Sequence, residues 1–440
     1  MPKTFYILSL GCPKNRVDAE MIWAAAARSG LISVDLAEEA DVIIVNTCAF
    51  IQSAVEESID TIVEMGRYKS AGSCSRLVVA GCLSPRYGRG LIEQLPEVDL
   101  FVGPAEVGQL GNWLAKEVPP EKFICQSGSS FLPQAATGRV NSLAPGSAYL
   151  KVAEGCSRSC SFCVIPRLRG PLQSRSLEDL VSEASNLIDL GVHEIVLVAQ
   201  DLANWGKDLS VRPALHDLVE ALACVKGLKW LRLMYLFPAA IPERLIELIA
   251  SKKNVLAYLD LPFQHIDGEV LKRMRRGGDP QIIDALIDRL RRQIEDVVIR
   301  TSLMTGFPGE SEDAFLRLVD FVERSRFERL GVFAFSPEPG SLAAKLAGQV
   351  PGQVALRRQE ELLAIQQPIA LDYHTRLIDK QLPVIVEGVN SEGKLFGRAW
   401  NQAPEIDGQT IIKGTAEIGQ IITARVVDVG PYDLEVDINE

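Results

Sequence analysis

Six short apolar runs recur between residues 148 and 336: AYLKVA, EIVLVA, KWLRLMYL, VLAYLDLP, VVIRTSLMT and RLGVFAFS. Helical segments separate most of them. Strands joined by helical crossovers pair in parallel, so six such units predict an open (β/α)6 barrel. Helix punctuation agrees. Ser176 with Asp179 resembles a capping box, and Gly191 stands where a helix C-cap belongs. Further helical segments fall near 281–293 and 311–325.

The chain has 440 residues, more than one hydrophobic core usually supports, so two or three domains are expected. Upstream of the barrel, runs at 4–9, 42–46, 77–80 and 99–102 alternate with helical patterning at 15–29 and 51–67, which predicts a small parallel α/β domain over 1–125. Residues 126–147, rich in Ser, Gly, Ala and Pro, read as a linker to a core spanning 148–372. A helix at about 354–372 precedes Val/Ile-rich runs broken by Gly, Asn and Pro, which predict a small antiparallel β-barrel over 373–440.

The N-terminus lacks the basic region and apolar core of a signal peptide, and no stretch approaches the ~20 apolar residues that cross a bilayer, so a cytoplasmic location without a membrane partner is expected. A net charge of −11 argues against a general binder of phosphate backbones. In such a chain nine cysteines, an odd number, point to metal ligation rather than a disulfide framework.

Cys156, Cys160 and Cys163 stand in C-x-x-x-C-x-x-C spacing directly after the first barrel strand. Three thiolates can converge on one centre, but a closed zinc site or an ordinary 4Fe-4S cluster takes four ligands, and no nearby Cys or His supplies the fourth. One iron of a cluster would stay open to a small molecule, at the strand ends where barrel enzymes build their sites. The bland alternative is an incomplete zinc knuckle, or three buried thiols without function. This loop resembles that of the radical S-adenosylmethionine superfamily. The resemblance implies that the open iron binds S-adenosylmethionine and that an added electron cleaves it to a 5′-deoxyadenosyl radical. It also puts Phe162, the aromatic before the third cysteine, near the adenine, although Phe162 could simply cover the cluster. Gln200, at another strand end, is a second candidate contact for the cofactor.

Cys12, Cys48 and Cys82 are separated by 35 and 33 residues, yet each follows an apolar strand, and the carboxyl ends of parallel strands share one edge. Their contexts, LGCPKN, NTCAF and AGCL, resemble the methylthiotransferase family in order, and that resemblance covers essentially the whole chain. It implies a second 4Fe-4S cluster that carries or delivers sulfur. Strand-end cysteines without a shared function are the alternative. Cys74, Cys125 and Cys224 fit no ligand pattern and read as packing or surface residues.

Val198–Asp201, DLPFQH at 260–265 and APEIDG at 403–408 resemble the branch of that family that modifies an aspartate of a small-subunit ribosomal protein, rather than the branch that modifies tRNA adenosine. The resemblance implies a ribosomal-protein substrate, possibly on the ribosome, with an electron donor and a sulfur donor; tRNA is the less favoured partner. From His374 to Glu440 six Lys/Arg oppose eleven Asp/Glu, a balance that suits a basic protein better than RNA. The tail resembles a TRAM domain. One departure is Leu202-Ala203-Asn204-Trp205-Gly206, where the branch usually continues Thr-Thr and then Tyr-Gly. The remaining rivals are a tRNA adenosine methylthiotransferase and a two-cluster carrier without catalysis, which would leave the large barrel unexplained. His265 reads as structural, because hydrogen abstraction by a radical needs no general base. MTGFPGE at 304–310 reads either as a cofactor contact or as a backbone turn.

Overall fold

The computed structural model describes residues 3–115, 121–277 and 279–439. Near the N-terminus, strands Ile32–Ser33, Thr4–Ser9, Val42–Thr47, Arg76–Gly81, Leu100–Val102 and Phe123–Ile124 lie in that order in one parallel sheet. The strand Val42–Thr47 is buried throughout, as expected of a strand covered on both faces. Helix Pro13–Arg28 opens on proline, whose fixed φ suits the first turn, and Gln52–Gly66 is the second long helix.

The central sheet is also parallel, with strands Ser147–Lys151, Glu194–Val198, Trp230–Leu233, Val255–Asp260, Val298–Thr305 and Arg329–Ala334 side by side in chain order. Each strand alternates its faces with period two. Ala148, Leu150, Ile195, Leu197, Leu231 and Leu259 turn outward into the main core beneath the helices. Tyr149, Val196, Val198, Trp230, Tyr258 and Val298 turn inward and pack with Val17 and Met21 of helix Pro13–Arg28 and with Ala403. The two flanking domains therefore cover the inner face of the open barrel.

Residues 126–147 carry little regular structure but are tied down. Within this segment Arg139 pairs with Glu20 and with Glu183, reaching one domain on each side. Helix Gly352–Thr375 then leads to a closed barrel of Gln381–Val389, Leu395–Ala399, Thr410–Lys413, Leu434–Asp437 and Ile421–Val429. Four of its joins are antiparallel, and Thr410–Lys413 meets Leu434–Asp437 in parallel. Several of its acidic groups face inward to the chain. Glu405 accepts from Tyr149 and Asp407 from Tyr258, docking this barrel on the central sheet, while Glu387 pairs with Arg398 inside the barrel, so part of the acidity noted in the sequence is spent within the chain.

Candidate active site

Cys12, Cys48 and Cys82 all sit at the carboxyl edge of the N-terminal sheet. The strand order reverses between Thr4–Ser9 and Val42–Thr47, and Cys12 and Cys48 follow these two strands, flanking the crevice where open α/β sheets bind ligands. Gly11 has φ +84°, and a side chain there would strike Cys48, whose Sγ would lie 2.8 Å away. The Asn15 amide donates to the carbonyls of Leu10 (2.6 Å), Asn46 (3.2 Å) and Thr47 (3.3 Å), lacing the first two cysteine loops together. Thr47 continues the lacing to the third loop, since its hydroxyl donates to the Ala80 carbonyl at 2.6 Å and its carbonyl accepts from the Cys82 amide at 3.1 Å. The thiols feel one another. Burial, then repulsion from Cys82 and Cys12, pushes the Cys48 thiol up to about 12.

The second triplet follows strand Ser147–Lys151 through a sharp turn at Gly155, where φ is +70° and any Cβ would press on the Gly170 carbonyl at 2.6 Å. The Cys156 amide donates to that same carbonyl (3.0 Å), and Ser161 binds Met274 and Arg273 carbonyls at 2.9 and 2.8 Å, so the loop is held from two sides. Burial, with repulsion from Cys160 and Cys156, raises Cys163 to about 12. Arg276 reaches the Cys160 sulfur at 3.7 Å, and Arg158 and Arg276 both stack on Phe237, 3.4 and 4.6 Å from its ring centre. Among the described residues no group of three or more Cys, His, Asp or Glu closes around a single metal ion. A cubane cluster asks for something wider, because each thiolate ligates a different iron. Two sets of three thiols in separate loops, each beside an arginine, fit that donor chemistry.

A buried polar network joins the two triplets. Arg169 lies on the short helix Ile165–Arg169 just past Cys163 and is 2% exposed. Its Nε donates to the Cys82 sulfur at 3.2 Å, one Nη to Glu154 at 2.9 Å, and the other to Asn15 Oδ1 at 3.0 Å. Asp18 takes both Arg169 and Lys151, and Lys151 also pairs with Glu154 at 2.7 Å. Burial raises the Glu154 carboxyl, but Arg169 and Lys151 outweigh it and hold the group down at about 2.

Residues 4–103 match the model described as Uncharacterized protein family UPF0004, residues 150–322 the radical SAM superfamily, and residues 378–438 the TRAM domain. The ribosomal protein uS12 methylthiotransferase RimO of Myxococcus xanthus is 45% identical over 100% of this chain and 92% of its own length. That of Geobacter sulfurreducens is 45% identical over 97% of each chain. The chain belongs to the RimO family. Its radical SAM domain implies a 4Fe-4S cluster and S-adenosylmethionine. Solved structures share the fold at low identity. The radical S-adenosylmethionine methyltransferase TsrM of Kitasatospora setae has TM-score 0.55 and 15% identity, over 76% of this chain and 72% of that one. The cobalamin-dependent radical enzyme OxsB has TM-score 0.52 and 12% identity, over 82% and 56%.

In this RimO-family chain Gln200 stands beside the radical loop. Its Nε2 donates to Glu154, two residues before Cys156, while its buried Oε1 has no partner among the described residues. Phe162 packs with Val270, Met274, Phe307 and Ala343. The unusual 202–206 stretch is well seated, with Trp205 1% exposed and donating to the Arg175 carbonyl at 3.1 Å. His265 is structural, because Nδ1 accepts from the Asp267 amide at 2.9 Å and Nε2 faces Glu310 at 3.5 Å. The 304–310 turn leans on helix Gly352–Thr375, where Thr305 donates to Ala355 and Glu310 pairs with Arg358. Cys74 is buried, Cys224 is exposed, and Cys125 lies against Gly103. Sequence reasoning missed Asn15, Asp18, Lys151, Glu154 and Arg169. Lys14 and Asn15 were in plain view inside the LGCPKN context, which was the one available signal.

Proposed function

We propose that this chain is the methylthiotransferase of ribosomal protein uS12, adding a methylthio group to the β-carbon of an aspartate. Full-length kinship with RimO proteins at 45% identity is the observation that carries this reading. Cys156, Cys160 and Cys163 would hold the radical-generating cluster, and Cys12, Cys48 and Cys82 a second one. When bound, the clusters and S-adenosylmethionine supply a radical able to take hydrogen from an unactivated carbon, together with the sulfur that replaces it. The protein's own residues do the rest. Arg169 and Glu154 hold the two cysteine loops in fixed relation, which a reaction drawing on both clusters at one substrate carbon would require. Gln200 offers an unpaired acceptor and Phe162 an aromatic face to the cofactor. The inner face of the barrel, already covered by apolar side chains, keeps water from quenching a radical. An electron donor and a sulfur donor complete the partners. In cells lacking this chain, uS12 should lose the mass of SCH3 replacing H, while tRNA nucleosides stay unchanged. An unaltered uS12 mass would refute the assignment.

A further inference from the structure

Lys14 is the second residue of helix Pro13–Arg28, two positions after Cys12, and is only 7% exposed. Burial and, more weakly, Arg169 oppose a cation there, while Tyr235 and the Cys12 thiol favour it and outweigh them, so the balance holds the ammonium above the ordinary lysine value. Each of the other seven buried lysines and arginines among the described residues has a carboxylate beside it. Lys14 has none among the described residues; its Nζ lies 3.4 Å from the centre of the Tyr235 ring. A buried ammonium with no carboxylate beside it is a place where an acidic group from outside would be welcome.

Tyr235 supplies a second, independent observation. It follows strand Trp230–Leu233 at the carboxyl edge of the radical barrel and adopts φ +62°, a strained conformation for a non-glycine residue. Asp260 holds it there, accepting from its amide at 2.9 Å. The strain delivers the ring to the ammonium. Lys14 thus runs from the Cys12 loop to the mouth of the barrel, joining the two regions that must both reach one substrate carbon.

We propose that the Lys14 ammonium, seated on Tyr235, receives the side-chain carboxylate of the substrate residue and so selects an acidic residue for modification. This rests on the uS12-aspartate reading above. The test uses anaerobically reconstituted full-length protein and purified uS12 carrying either Asp or Asn at the target position, with affinity measured for each. Wild type should prefer Asp by about 10- to 100-fold, as a charge-assisted hydrogen bond implies. Lys14→Met should bring that ratio to about one while keeping its iron and a thermal midpoint no lower than wild type, since Met fills much the same space without a buried charge. Lys14→Arg should keep most of the preference. An unchanged Asp/Asn ratio in Lys14→Met overturns the proposal, and so does loss of iron in that variant, which would assign Lys14 to the Cys12 cluster. If wild type yields no methylthiolated product from Asp-bearing uS12, the uS12 reading itself fails and the Lys14 role falls with it; product formation that is indifferent to Lys14 removes only the latter.

Discussion

Gly11 and Asn15 show how single residues build the N-terminal thiol site. Any side chain at position 11 meets Cys48, and φ of +84° adds strain, so Gly11→Ala must push the Cys12 and Cys48 loops apart. If the proposed second cluster sits on these thiols, anaerobically purified Gly11→Ala is expected to lose about half its iron and to keep the radical cluster. Asn15 binds three carbonyls and accepts from Arg169. Asn15→Ala should cost roughly 2–4 kcal/mol in chemical denaturation, because four hydrogen bonds lose a partner inside the protein. The placement of Cys12, Cys48 and Cys82 along one sheet edge was legible because each follows an apolar run, and such runs form parallel strands. Asp18, Lys151, Glu154 and Arg169 were not, because a charged residue in sequence reads as solvated until its partners are known.

Caps and turns decide the elements. Ser176 accepts from the Asp179 amide at 3.2 Å, as the sequence predicts, but the reciprocal half of the capping box is replaced by other bonds. The Asp179 carboxylate instead takes the Ala135 amide at 2.8 Å and pairs with Arg175, tying the 126–147 segment to helix Leu177–Asp189. Ser176→Ala should therefore cost about 1 kcal/mol, the usual worth of an N-cap, in denaturant unfolding. A loss far larger would mean that the cap also holds the strap. The strands of the barrel were readable as short apolar runs, since strands covered on both faces are apolar nearly throughout. The parallel join that closes the C-terminal barrel was not, because pairing direction depends on where distant strands meet.

Glu194 ties the central sheet to the C-terminal barrel. It is fully buried on the second barrel strand and pairs with Arg232 at 2.8 Å and with Arg398 of the C-terminal barrel at 2.5 Å. Burial raises its carboxyl, but the two guanidinium groups overcome this and hold it at about 2, against 4.5 for a free glutamate. A depressed folded value means that this stability is complete above pH 4.5 and drains away as pH falls from there toward 2, by about 3 kcal/mol in all. Acid titration of unfolding should show that loss. Glu194→Gln should already be weaker by about 3–5 kcal/mol at neutral pH, with buried Arg232 left without a carboxylate and Arg398 left with Glu387 alone, and should show a smaller further decline over the same acid range.

By itself the sequence determined the order of the three folded units, the short apolar runs that form their strands and the position of six cysteines just after strands, because these are written in local spacing and in residues of restricted chemistry. Tertiary structure alone decided which acidic groups are spent on Arg398, Tyr149 and Tyr258, how Arg169 spans from Glu154 to Cys82, and that Lys14 is buried beside Tyr235 with no carboxylate next to it among the described residues. The reason is physical: the cost or benefit of a charge depends on its dielectric surroundings and its partners, and residues far apart in the chain supply both.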